Sequence, residues 1–410
     1  MTILDHYGKE KQRFLENCVQ CGLCAEECPI LPHTDVSEIS SQDIQEGVFD
    51  CIDSGIPNQQ AYTKAFACME CFKCTADICP EDLNPMLVNE LIKGEYISHG
   101  LAEKAYGDQQ HPNSVHRILA SVQVSASDYL KITKSSNQKH ARCVFFPGCN
   151  VYFQPEKILN ALDIMDAIGD DYAFLPGLDY CCGDSFMFLG DIDKGGQQAE
   201  LLIAAIADFQ PEAVVLWCPT CQCRFDKSIA PVLDVPFRVL SFPQYLAANM
   251  NKLTISDAVA GIVTLHEPCK SAYTGLDRDG PREVLRQLPG VTLMERMQMS
   301  ISRNRRLKMN VFLKCWKQSL LDKKYIVETF SHRCRLSMAD GSTVAGRVKA
   351  ATIFIKFIIP PAPLPSFPMP ESDQSFPGFS RNGQSASTGC GLRHRAVVQS
   401  GAVYLSRPDD

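Results

Sequence analysis

The sequence has no apolar run of the roughly eighteen residues that a bilayer-spanning helix needs. Its longest candidate, Ala350–Ile359, carries Lys356 and runs into Pro360 and Pro361. No transmembrane segment is therefore expected in this chain. No export leader is expected either, since the opening MTILDHYGKEKQRF places charges where a signal peptide is apolar. The expected setting is reducing and cytoplasmic, in which cysteines read as metal ligands rather than disulfides. No G-x-G-x-x-G opens a βα unit, so neither a nicotinamide nor a flavin site is expected here. Nor is there a strong overall charge. The net value is −7 over 410 residues, with an ordinary hydrophobic content of 45%. The length suggests two or three domains.

What the chain does have is cysteine, twenty in all. Cys18, Cys21, Cys24 and Cys28 precede Pro29; Cys68, Cys71, Cys74 and Cys79 precede Pro80. The first run is C-x2-C-x2-C-x3-C-P, the bacterial ferredoxin spacing for two [4Fe–4S] cubanes. Three thiolates two residues apart let one tight loop wrap three corners of a cubane, and the fourth reaches the other cluster. This assigns Cys18, Cys21, Cys24 and Cys79 to cluster 1, and Cys68, Cys71, Cys74 and Cys28 to cluster 2. The second run has one extra residue before its last cysteine, which is slack in the loop rather than a break in the scheme. Each proline turns the chain away from a helical path. Zinc, the competing reading, closes with four ligands and has no use for a third cysteine at the same two-residue spacing.

The insert between the runs reads as helical. Asp35-Val-Ser-Glu38 resembles a capping box, and Ile44, Val48, Phe49 and Ile52 follow at helical spacing. Cys51 on this insert reads as a small buried hydrophobe. Helical patterning continues from Pro80 to about Ile132, and residues 133–142 form a polar linker. From Cys143, strands at 144–146, 172–175, 213–217, 239–242 and 262–265 alternate with helices at 158–168, 199–209 and 244–250. This predicts βα units and a largely parallel sheet. Cys149 and Cys218 fall just past strand ends, where open α/β sheets bind ligands. Cys149, Cys181, Cys182, Cys218 and Cys221 can then meet in one crevice, with Gly183 permitting a close approach. Cys223 reads as a bystander.

The spacing C-x31-C-C-G…C-x2-C, downstream of a dicluster ferredoxin, resembles the cysteine-rich CCG domain of heterodisulfide reductases in the order of their fused catalytic subunit. Iron–sulfur subunits of glycolate oxidase and anaerobic glycerol-3-phosphate dehydrogenase are similar. The resemblance covers about residues 10–295. It implies that Cys149, Cys181, Cys182, Cys218 and Cys221 bind a third, non-cubane [4Fe–4S] cluster where a disulfide is cleaved. It also implies a partner, either a flavoprotein dehydrogenase or a membrane quinone/cytochrome subunit, which would hold the chain peripherally on the inner membrane face. The expected function is an electron-transfer subunit of an oxidoreductase complex. The alternative is a non-catalytic metal-binding or redox-sensing protein, or a truncated chain that binds clusters without turnover. His266 and Glu267 are candidates for handling protons.

The pattern breaks near residue 295. His266-Glu267-Pro268-Cys269 looks like the opening of a second CCG repeat, but no further C-C pair or C-x2-C follows. Cys315, Cys334 and Cys390 are isolated. Residues 1–295 hold 22 Lys/Arg against 40 Asp/Glu; residues 296–410 hold 18 against 7, with seven prolines between Pro360 and Pro377. The basic tail lacks any nucleic-acid-binding motif. We read it as a segment whose reading frame departs from the family's. The expected architecture is thus an α-helical dicluster ferredoxin domain (1–107), a helix and linker (108–142), an α/β CCG domain with a mostly parallel sheet (143–295), and an irregular basic, Pro-rich tail (296–410).

Overall fold

The computed structural model describes residues 1–102, 114–177, 179–255, 261–295 and 325–328. The expectations for residues 103–113, and for the tail apart from 325–328, lie outside the described residues.

The N-terminal part is helical, as its patterning predicts. Helix Ile3–Asn17 opens on a capping box in which Thr2 and Asp5 exchange backbone hydrogen bonds. The insert between the cysteine runs forms helices Ser41–Ser54 and Gln59–Phe66. Its first cap is Ser40, which accepts from the Asp43 N–H, not the Asp35–Glu38 stretch. That stretch follows a single 3-10 turn, Leu31–His33, and the Asp35 carboxylate is taken by Gln59 and Thr63 instead. Helix Pro85–Ser98 closes the module. Phe14, Val48, Cys51, Ile52, Ala65, Ile92 and Tyr96 make its core. Cys51 is fully buried there.

Beyond helices Val115–Gln123 and Ala126–Thr133 the chain enters a parallel sheet. Its strands are β1 (Cys143–Phe146), β2 (Tyr172–Phe174), β3 (Ala213–Leu216) and β4 (Arg238–Ser241), in the order β2-β1-β3-β4. All three pairings are parallel. Every residue of β1 and β3 is buried, because helices cover both faces, the usual condition of a parallel sheet. Alternate side chains divide between two cores. Cys143, Phe145 and Val215 join helices Pro155–Ile168 and Phe242–Asn249 on one side. Val144, Phe146, Val214 and Leu216 face helix Ile192–Ala207 on the other. That second core also takes in Ile3, Tyr7 and Leu87, so two helices of the N-terminal module pack onto the sheet's own hydrophobic layer.

A second sheet holds β5 (Gly261–His266), β6 (Val291–Leu293) and β7 (Tyr325–Glu328), in the order β6-β5-β7, with parallel pairing throughout. The strand β7 lies inside the region expected to be irregular. Its backbone completes this sheet by pairing Val263–His266 with 325–328.

Candidate iron–sulfur sites

The two N-terminal cysteine runs fold into matching loops. In each, the second and fourth residues after the leading cysteine are left-handed: Gln20 and Gly22 in the first, Glu70 and Phe72 in the second. Three of these four are not glycine, a costly conformation that persists where the surroundings demand it. Gly22 has a further reason, since a Cβ there would lie 2.7 Å from the Ser41 carbonyl. Such curled loops turn backbone N–H groups toward an enclosed anion. The Glu70 N–H accordingly donates to Cys68 Sγ at 3.4 Å.

A small cavity is lined by Cys18, Cys21, Cys24 and Cys79, together with Phe14 and Leu83. The Leu83 N–H donates to Cys79 Sγ at 3.4 Å. The cysteine from the second run thus joins three from the first. On the other side, burial pushes the Cys71 thiol up to about 11, and Cys269, Cys68 and Cys28 beside it add to the shift. Burial likewise raises Cys68 and Cys74. Buried thiols of this kind stay protonated unless a cation takes the proton's place.

The third group sits at the first sheet's switch point. Strand order reverses between β1 and β3, and a crevice opens there at the strands' carboxyl ends. Cys149 follows the turn after β1, and Cys218 follows β3 after Trp217. Gly148 (φ +63°) lets this turn approach the helix after β3; a Cβ at that position would lie 3.0 Å from Cys221 Sγ. Cys182, Cys218 and Cys221 are buried, while Cys149 and Cys181 are partly exposed, giving the site one open side. The sulfurs interact in a chain. Hydrogen bonds from Cys181 and Cys221 hold the Cys182 thiol well below its usual value, and Cys221 does the same for Cys218. Cys181 is raised by its bond to Cys182. Cys149 is raised by burial, with Cys218 and Cys182 nearby.

All five cysteines expected in the crevice are therefore brought together. Cys223 is not; it is buried with Phe72 and Met86. The Cys269 thiol groups with Cys71 and Tyr273. Glu267 is occupied by a two-pronged ion pair with Arg282 at 2.9 and 3.1 Å, a structural role. Among the described residues, no three His, Cys, Asp or Glu side chains close around a point as ligands of a single metal ion do.

The donor set suits a larger inorganic group. Asn150, directly after Cys149, is completely buried with neither side-chain polar atom hydrogen-bonded. Gln222, directly after Cys221, has an unpaired Oε1. Buried amides without partners are costly. An unpaired Asn N–H directly after a proposed ligand would be a fitting donor to sulfide or thiolate.

One feature of the site escaped the sequence reading. Arg224, 2% exposed, lies at the centre of a buried ionic junction. Its Nη2 donates to Glu90 Oε1 at 2.7 Å, Asp184 Oδ1 at 2.8 Å and Glu70 Oε2 at 3.5 Å. Its Nη1 donates to the Tyr7 hydroxyl, which donates to Glu90. The Lys270 ammonium adds pairs to Glu70 at 3.1 Å and to Asp184 at 3.5 Å. Burial alone would raise the Glu90 carboxyl, but Arg224 holds it below its usual range. Glu70 is lifted by burial to about 7. The junction's placement matters. Glu70 lies between Cys68 and Cys71, Asp184 follows Cys182 and Gly183, and Arg224 follows Cys221 by three residues. The second ferredoxin loop and two of the crevice's three cysteine-bearing segments are thereby tied to one another.

Comparison with known proteins agrees with this geometry. Residues 14–83 match a 4Fe-4S dicluster domain, and residues 143–226 match a cysteine-rich (CCG) domain. In carrying both domains the chain resembles heterodisulfide reductase-type iron–sulfur proteins. It is 23% identical to one of the subunits of the dihydromethanophenazine:CoB–CoM heterodisulfide reductase of Methanosarcina barkeri, over 68% of this chain and 75% of that one. It is 24% identical to one of the subunits of the fumarate reductase (CoM/CoB) of Methanothermobacter marburgensis, again over 68% of this chain but only 57% of the relative. The chain thus spans little more than half of that second protein. No solved structure matches. The matches support an iron–sulfur electron-transfer role. Among the described residues, no helix is long and apolar enough to cross a membrane.

Proposed function

We propose that this chain carries electrons between a partner subunit and a disulfide-reducing site. Cys18, Cys21, Cys24 and Cys79 hold one [4Fe–4S] cluster; Cys68, Cys71, Cys74 and Cys28 hold a second. Cys149, Cys181, Cys182, Cys218 and Cys221 hold a third, non-cubane cluster. The observation that carries this reading is the meeting of those last five cysteines at the sheet's switch point, tied through Arg224 to the second ferredoxin loop. The second cubane is therefore the one that exchanges electrons with the crevice.

Reducing a disulfide consumes two electrons and two protons and yields two thiols. When bound, the third cluster supplies iron that can take up a departing thiolate sulfur while electrons arrive singly. The chain's own residues shape the rest. Cys149 and Cys181 mark the open side that a disulfide would approach. Gly148 brings its turn against Cys221, Gly183 lets the loop after Cys182 pack on Gly195 of helix Ile192–Ala207, and Asn150 offers its amide to the sulfurs. The partner supplying electrons is a flavoprotein dehydrogenase or a membrane quinone/cytochrome subunit, which places the chain in the cytoplasm or against the inner membrane face.

The test is electron paramagnetic resonance on the anaerobically purified chain, reduced with dithionite and then mixed with oxidised glutathione as a model disulfide. The reading predicts cubane signals in both the unmodified chain and a Cys181→Ser/Cys182→Ser variant, with a disulfide-dependent change only in the former. Identical responses from the two would refute the assignment of the crevice. A cluster-binding chain without turnover is favoured by the lone second-repeat opening at Cys269. It would show cubane signals and no response to the disulfide in either protein.

A further inference from the structure

Lys64 is a buried lysine placed against the first ferredoxin site. It lies on helix Gln59–Phe66 and is 5% exposed. Its Nζ donates to Cys24 Sγ at 3.0 Å and to Gln45 Oε1 at 2.5 Å. Gln45, itself 2% exposed, donates through Nε2 to Cys18 Sγ at 3.6 Å. Cys18 and Cys24 belong to the first proposed cluster. The Nζ thus sits at hydrogen-bonding distance from one ligand sulfur and is linked through Gln45 to another.

The electrostatic consequence is direct. A cubane held by four thiolates gains one unit of negative charge when it takes an electron, with no bond broken and no proton required. A fixed cation at contact distance in a dry interior favours the reduced form far more than one in water. Local charge and hydrogen bonds to the sulfurs are among the features that set cluster potentials. We propose that Lys64 is a tuning residue, the buried cation that makes the first ferredoxin cluster easier to reduce, with Gln45 fixing its position. This rests on the ligand assignment made above.

The experiment is a dithionite titration of the anaerobically loaded full chain, followed by electron paramagnetic resonance, on the unmodified protein and on Lys64→Met, Lys64→Arg and Gln45→Glu. Lys64→Met should reduce the equilibrium constant for one-electron uptake at least tenfold, a fall of about 59 mV. Lys64→Arg should restore most of it, which a purely structural role would not require. Gln45→Glu, which sets a carboxylate against the ammonium, should lower reduction in the same direction. It carries the test if Lys64→Met fails to load iron. Midpoints within twofold of the unmodified chain, in Lys64→Met or, where that variant is empty, in Gln45→Glu, would overturn the proposal. An unmodified chain that takes up no iron would overturn the ligand assignment as well. A chain loaded with about 12 irons but indifferent to these substitutions would overturn only the role of Lys64.

Discussion

Replacing Arg224 by methionine probes the junction that ties the ferredoxin loop to the crevice. Arg224 is 2% exposed, and its carboxylate partners Glu90 and Glu70 are 0% and 2% exposed. Removing one partner from a buried ionic group costs about 3–5 kcal/mol, because the others are left uncompensated. Lys270 remains to serve Glu70 and Asp184, but no pair links it to Glu90 among the described residues. Against a total stability of about 5–15 kcal/mol, such a loss is large. With a urea slope of about 1–3 kcal/mol per molar, it should lower the unfolding midpoint by more than about 1 M. The pH dependence has a definite sign. In the parent, Glu90 is held below its ordinary value of 4.5 by Arg224. Its contribution is therefore present above that value and is lost as pH falls through the lower, folded value. Without the arginine, burial raises Glu90 instead, so stability is lost as pH rises through the raised value. The deficit of Arg224→Met should accordingly be greater at pH 8 than at pH 5. Adding Glu90→Gln should recover about 1 kcal/mol or more, since it removes the stranded charge. Urea unfolding at the two pH values provides the measurement. A deficit below about 1 kcal/mol, equal at both, would refute the reasoning.

Further expectations concern the ligands and their loops. Cys79→Ser should empty the first cluster while sparing the second, lowering bound iron by about 4 per chain; loss of both, or of neither, would contradict the exchanged fourth ligand. Gly148→Ala forces an alanine into φ +63° with its Cβ 3.0 Å from Cys221 Sγ. A cost of about 1–3 kcal/mol is expected from the backbone alone, and iron analysis should show loss confined to the crevice. Cys223→Ala, in contrast, should leave the iron content unchanged, because that thiol is packed with Phe72 and Met86.

The strands were legible because β1 and β3 are short, fully apolar segments bounded by loops, and their cysteines fall two or three residues past the strand ends. The two ferredoxin runs were legible because their ligands lie close together in sequence and the loop geometry repeats. The cap of helix Ser41–Ser54 was misplaced because Asp35 and Glu38 imitate a capping box. The Asp35 side chain instead binds Gln59 and Thr63, about two dozen residues further on. The ionic junction was not legible at all. Arg224 meets Glu90 across 134 residues and Glu70 across 154, and no local periodicity reports such a pairing. A faint signal existed, since Glu90 interrupts the apolar run Met86–Ile92, and a charge on a buried helix face needs a partner. Lys64 gives the same hint among Ala61, Ala65 and Phe66.

The central claim is that these cysteines bind iron and sulfide. Iron and acid-labile sulfide should be counted in the chain purified without oxygen. The account predicts a brown protein holding about 12 irons per chain, four for each of three sites. A colourless protein lacking both iron and sulfide, or one carrying stoichiometric zinc instead, would contradict it.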